Sequence, residues 1–330
     1  MKIISKIMCA LICTVLISST FSCGSDDDGN IIIPTENIVT IASGDTDLSL
    51  LVTALAAADG DLVSVLNGTG PFTVLAPTNA AMEAFLTANN YADINEIPTD
   101  ELQQILLNHV IPGQITSASL ISNGSGYEQT SSTMGPDGTS LSIYFNATNG
   151  VVFNGTSTVS SADISASNGI IHKIDTVIGF PDLTTFATAD PNLSRLLEGL
   201  TAYSFDYVTT LQGDGPFTVF APTNAAFEDL LATNPDWNAP ADIDETTLET
   251  ALNLHVIPNA NVREADLTDG EVATIAGQIS IDATAKTVSD GADPANVSTI
   301  TSTDIQTTNG VIHLIDKVLL MPILMSRSGN

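Results

Sequence analysis

The stretch GPFTVLAPTNAAMEAF at 70–85 returns as GPFTVFAPTNAAFEDL at 215–230. The copies differ only at Leu75/Phe220, Met82/Phe227, Ala84/Asp229 and Phe85/Leu230, and three of these exchanges swap one large apolar residue for another. A repeat this close means that one structural unit is built twice and that both copies bury the same face. Residues 72–76 and 217–221 are short, β-rich and bracketed by Gly-Pro on one side and Pro on the other, which is the pattern of a strand. Pro77 and Pro222 hold the preceding alanine extended. Thr78 or Asn79, and Thr223 or Asn224, then offer a side-chain oxygen to the free amides of a new helix. Met82, Phe85 and Leu86 match Phe227, Leu230 and Leu231 in spacing, so each helix lays the same stripe against its strand.

The flanks repeat as well. Upstream, Leu48, Leu51, Val52 and Leu55 recur as Leu193, Leu196, Leu197 and Leu200, the spacing of a helix with one buried face. Asp45 or Thr46 suits its cap and Gly60 its stop. Downstream, a third helix is expected over Asp100–Val110 and Glu245–Val256, with His109 and His255 completing apolar stripes. Alternating stretches at 141–145 and 151–153 suggest hairpins, with 275–281 in that role in the second copy. Each unit closes on a shared string, NGIIHKIDTVIGFP at 168–181 and NGVIHLIDKVLLMP at 309–322. Read with period two, these are strands that turn His172 and His313 toward aliphatic neighbours.

A chain of 330 residues with 43% hydrophobic and 14% charged residues suits two folded domains. Its net charge of −30, from 38 acidic against 8 basic side chains, repels phosphate backbones and anionic headgroups, which argues against nucleic acid or an anionic membrane surface as partner. The start is itself basic (Lys2, Lys6), then apolar from Ile7 to Ile17, then small up to Ser22, so residues 1–22 are expected to be a removed secretory signal. Beyond it only Cys23 remains, which excludes internal disulfides and multi-thiolate zinc sites in the mature chain. Cys23 and the Gly-Ser-Asp-Asp-Asp run after it resemble a bacterial lipoprotein signal with its acidic surface tag. That resemblance implies a lipid on Cys23, a tether over 23–34 and attachment to the outer membrane.

The ordered set GPFTVxAPTNAA, HVIP and NGxIHxIDxV, present twice, resembles the fasciclin domain family. The resemblance covers 35–181 and 182–322 and leaves a short tail at 323–330. It implies an α+β fold of two tandem fasciclin-like domains, each a bent antiparallel β-wedge with packed helices. It also implies adhesion and matrix contact. Animal members have been credited with an adhesive Tyr-His pair in the third-helix motif. Here Asn108 and Leu254 stand before His109 and His255, so that particular contact does not carry over.

Catalytic signatures are missing: there is no HExxH, no G-x-S-x-G and no phosphate-cradling glycine loop. No catalytic residue, metal site or cofactor is expected, and the histidines read as partly buried rings bonded to backbone. The acids at 242–245 fit no EF-hand loop. The candidates for partner contact are Asn108, His109, Leu254 and His255 around the third helix, and Trp237 in the NPDWNAP loop. The expectation is a non-catalytic, surface-exposed adhesion lipoprotein that meets a cell-surface or matrix protein or polysaccharide. The alternative is a surface glycan- or nutrient-binding lipoprotein.

Overall fold

The computed structural model describes residues 34–204, 207–290 and 296–321. Two seven-stranded sheets organise them. The first comprises β1 (Phe72–Pro77), β2 (Val110–Pro112), β3 (Ser125–Gln129), β4 (Ser142–Asn146), β5 (Val152–Phe153), β6 (Ser157–Ala166) and β7 (Gly169–Ile174). The second comprises β8 (Phe217–Pro222), β9 (Val256–Pro258), β10 (Gly270–Ala273), β11 (Gln278–Asp282), β12 (Thr287–Ser289), β13 (Val297–Thr307) and β14 (Gly310–Ile315). Strand order is β2-β1-β7-β6-β5-β4-β3 in one and β9-β8-β14-β13-β12-β11-β10 in the other, the same wedge twice. Pairing is antiparallel except between β1 and β7 and between β8 and β14, which are parallel. A parallel pair needs a long crossover, and the chain supplies one by running through the third helix and the hairpins before it returns to β7.

The repeated stretch behaves as its chemistry dictates. Thr78 and Thr223 are the N-caps, each accepting a bond from a backbone N–H of the first helical turn. The asparagines act elsewhere. Asn79 accepts from Leu50 N–H at 2.9 Å and donates to Thr46 O at 2.9 Å and Ser49 Oγ at 3.0 Å, fastening the helix Asn79–Ala88 to the start of the helix Ser49–Ala57. Asn224 makes the matching bonds to Arg195, Pro191 and Ser194. Gly70 has φ +57°, and a Cβ there would lie 2.1 Å from Asn168 O, so no other residue fits before β1.

Five boundaries differ from expectation. The third helices run Thr99–Asn108 and Glu245–Leu254, because Val110 and Val256 leave the helix to pair with Val74 and Val219 as β2 and β9. Asp45 caps a short 3₁₀ turn, Thr46–Leu48, so Leu48 precedes the helix that was expected to contain it. The first long helix ends at Ala57, and Gly60 sits in the turn beyond at φ +78°. In the second sheet Ile275 falls outside the strands and is exposed, and the hairpin strand is β11.

Each sheet buries apolar residues on both faces. In the first half, Leu51, Leu55, Met82, Leu102 and Ile171 form the helical side, and Leu75, Ile143, Phe145, Phe153 and Ile174 the hairpin side. In the second half Phe186, Leu200, Phe227 and Leu252 form the helical side, and Tyr144 joins them from the first half. Strand β4 is therefore buried on both faces: Ile143 and Phe145 point into their own half, while Ser142 and Tyr144 point into the other.

Candidate partner-binding site

The motif histidines lie inside. His109 Nδ1 donates to Ile105 O at 2.7 Å and its Nε2 accepts from Ile178 N–H at 2.9 Å, while His255 does the same with Ala251 O and Leu319 N–H. Only the neutral Nδ1–H tautomer satisfies both bonds. Burial lowers both rings from the ordinary 6.5 to about 4. The strand histidines use the opposite tautomer: His172 Nε2 donates to Ile115 O at 2.9 Å, and its Nδ1 accepts from Asp163 N–H at 3.2 Å. His313 bonds Val262 O and Asp304 N–H in the same way, and burial lowers its pKa. It also stacks on Phe220 at 5.5 Å.

A device that sequence reasoning missed makes this possible. β6 and β13 each carry a bulge, and at its crest Asp163 (φ +60°) and Asp304 (φ +58°) adopt the left-handed conformation. That turns their N–H groups onto the imidazoles. Their carboxylates accept Ser117 N–H and Glu264 N–H, which fastens the segments that follow β2 and β9. The NG dipeptide has a comparable task. Asn168 bonds Ile38 N–H, Leu66 O and Gly68 O, and Asn309 bonds Leu183 N–H, Leu211 O and Gly213 O. The only signal for either was that both copies repeat these residues.

Of the residues expected to meet a partner, Asn108 is 1% and Leu254 0% exposed, and His109 and His255 are 2% each, so none of the four presents its side chain to solvent. Asn108 donates to Gly179 O at 3.0 Å and accepts from Thr130 Oγ1 at 3.1 Å, whereas Leu254 packs with Phe220 and Ile257. Trp237 is half-buried against the helical core of the second half. Tyr203 and Tyr207 donate to backbone carbonyls of Ile243 and Glu249. Asp242 accepts Asn238 and Ala239 N–H groups, and Asp244 caps the third helix of the second half. Cys23, the expected lipid site, lies outside the described residues.

What the sequence did not announce is the seam between the halves. Tyr127 on β3 and Tyr144 on β4 are directly paired across the hairpin, with ring centroids 5.1 Å apart. Tyr127 meets Phe186 edge-on at 5.3 Å, and its hydroxyl donates to Asp190 Oδ2 at 2.9 Å. Burial, then the Asp190 carboxylate, push the Tyr127 phenol far above its usual value. Gln306 N–H donates to Ser142 Oγ at 2.9 Å, and Thr308 bonds Pro181 O.

The comparisons agree with this architecture. The fasciclin domain model matches residues 46–181 and 191–322. Protein sll1483 of Synechocystis sp. is 40% identical over 141 residues, 43% of this chain and 72% of that protein. Human periostin is 28% identical over 268 residues, which is 77% of this chain and 29% of periostin, so the chain spans under a third of that relative. Among solved structures, a FAS1 domain pair from the insect cell adhesion molecule fasciclin I aligns at a TM-score of 0.51 and 20% identity, covering 83% of this chain and 97% of that one. With the repeated motifs, the duplicated wedge and a model match over most of its length, the chain belongs to the fasciclin domain family, in two tandem copies.

Proposed function

We propose that this chain is an exported, non-catalytic surface protein that attaches its cell to a matrix or a neighbouring surface through its two fasciclin domains. The observation that carries this reading is the tandem pair itself, which accounts for nearly all of the chain beyond the N-terminal region. The solved pair with the same fold is described as coming from a cell adhesion molecule. The motif histidines and asparagines of the present chain are committed to backbone bonds inside each domain, which favours a scaffold over a reaction centre.

In this reading Cys23 carries the lipid that holds the protein at the outer membrane, and the acidic run after it forms the start of a tether up to residue 34. The net charge of −30 keeps such a surface soluble and separated from other acidic surfaces. Contact with a matrix protein or polysaccharide then falls to outer faces of the pair, since the third-helix residues are inside. The test is attachment of cells that lack the protein, on several abiotic and matrix-coated surfaces. Reduced attachment, restored by the wild-type chain but not by Cys23→Ser, is the expected result. Unchanged attachment on every surface overturns the proposal.

A further inference from the structure

The two halves treat one equivalent carboxylate differently. Asp45 and Asp190 each cap the 3₁₀ turn that leads into the first long helix of their half, accepting Asp47 N–H and Asn192 N–H. The second oxygen of Asp45 takes a cation, Lys173 Nζ, at 2.5 Å. Lys173 lies opposite Ala76 in β7, and the residue at that register in β14, opposite Ala221, is Leu314. That register therefore offers Asp190 no ammonium. The second oxygen accepts instead from the Tyr127 hydroxyl, a neutral donor, and among the described residues no Lys, Arg or His pairs with Asp190. Yet Asp190 is only 3% exposed, far deeper than an unpaired carboxylate ordinarily lies.

Space for a cation adjoins it. A cleft of about 610 Å³ opens along the seam, walled by Tyr127, Tyr144, Asp190, Asp304 and Leu314, and no Lys or Arg among the described residues lines it. Tyr144 supplies an independent sign that something is to be bound. It is 1% exposed, and among the described residues its buried hydroxyl has no hydrogen-bond partner. Ser125, Asn146 and Asp190 lie close enough to bear on its ionisation, but none gives it a hydrogen bond. An orphaned phenol beside an uncompensated carboxylate offers an acceptor for a second N–H of one ammonium group, and the Tyr127–Tyr144 ring pair offers π-faces that favour a cation.

We propose that the cleft binds a protonated primary amine on a short alkyl chain, whose NH₃⁺ takes at Asp190 the place that Lys173 Nζ holds at Asp45. The ammonium donates to a free lone pair of the Asp190 carboxylate and to the Tyr144 hydroxyl oxygen, and the alkyl chain lies along Leu314. Such a group arises on a free polyamine or on a lysine side chain of another protein. This inference is independent of the adhesive reading.

Calorimetric titration of the chain lacking residues 1–23 tests it, with 1,4-diaminobutane and N-acetyl-lysine methylamide as probes and glucose as the neutral control. Both amines are expected to saturate one site per chain, and glucose to give no heat of binding. The tighter of the two amines names the source. Asp190→Asn keeps an oxygen for Asn192 N–H and turns its NH₂ toward the Tyr127 hydroxyl, which can accept from it, and should weaken both amines about tenfold or more. Tyr144→Phe should weaken them in the same direction. Leu314→Lys serves if Asp190→Asn fails to fold: it restores the internal ammonium of the first half, so it should abolish amine binding and raise the thermal midpoint. Amines that bind no better than glucose, or a Leu314→Lys chain that binds them as wild type does, overturn the proposal.

Discussion

The two domains share strand order, caps, bulges and histidine bonds, yet the outer face of the hairpin is aromatic in the first and polar in the second. Tyr127 and Tyr144 form a cross-strand pair on β3 and β4. At the same register on β10 and β11 stand Glu271 and Ser280. The receiving face differs in the complementary sense. In the second domain Ile305 and Gln306 on β13 are buried, whereas their counterparts in the first, Ile164 and Ser165 on β6, are half-buried and exposed. The first domain thus has a face that docks and the second a face that receives. What both copies repeat holds each wedge together, and what they do not repeat joins them.

The largest effect should come from erasing that difference. Truncating both tyrosines to alanine removes one buried and one half-buried aromatic side chain and should cost about 4 kcal/mol, less than two full burials because the rings touch each other. The matched pair Glu271→Ala and Ser280→Ala should stay within about 0.5 kcal/mol. Fluorescence of Trp237, the only tryptophan, reports the second domain during denaturation and reads both variants. Equal losses in the two double variants would break the comparison.

Acid comes next and should treat the halves alike. His109 and His255 titrate near 4 when folded and near 6.5 when unfolded, so the unfolded chain binds more protons between those values. Stability is complete above about pH 6.5 and falls as pH drops toward 4, by about 3 kcal/mol in each half. Denaturant midpoints between pH 7 and pH 4 measure this, and His109→Phe should flatten the first-domain share. Asn79→Ala and Asn224→Ala should each cost about 2 kcal/mol, for lost bonds between the same two helices of each copy. The smallest effect belongs to Lys173→Leu. It gives the first domain the residue of the second, but the ion pairs it removes, to Asp45 and Asp47, end on partly exposed carboxylates, and the change should remain below about 1 kcal/mol.

Much of this was written in periodicity and punctuation. Apolar spacing marked each long helix, Pro77 and Pro222 marked strand ends, and alternation through NGxIH placed His172 and His313 inward. Local rules also marked where reading stopped. Val110 and Val256 sit at helical spacing after His109 and His255, and only pairing with β1 and β8 pulls them into strands. The bulges at Asp163 and Asp304 depend on tertiary bonds from imidazole to amide, which no spacing announces. The candidates Asn108 and Leu254 looked available because a helix flank in isolation has an outside. In the fold a hairpin covers it. The seam was hidden for a plainer reason: Tyr144 lies in one of the alternating stretches and Tyr127 in none, and nothing singles out either until a second domain is placed against them.

The central claim is that the repeated polar residues are spent on architecture, and the histidine tautomers test it most directly. Long-range ¹H–¹⁵N correlation spectra of the intact chain at pH 7 should show His109 and His255 protonated at Nδ1 and His172 and His313 at Nε2, unmoved by added zinc. A single pattern for all four rings, or a ring that shifts when zinc is added, would contradict it.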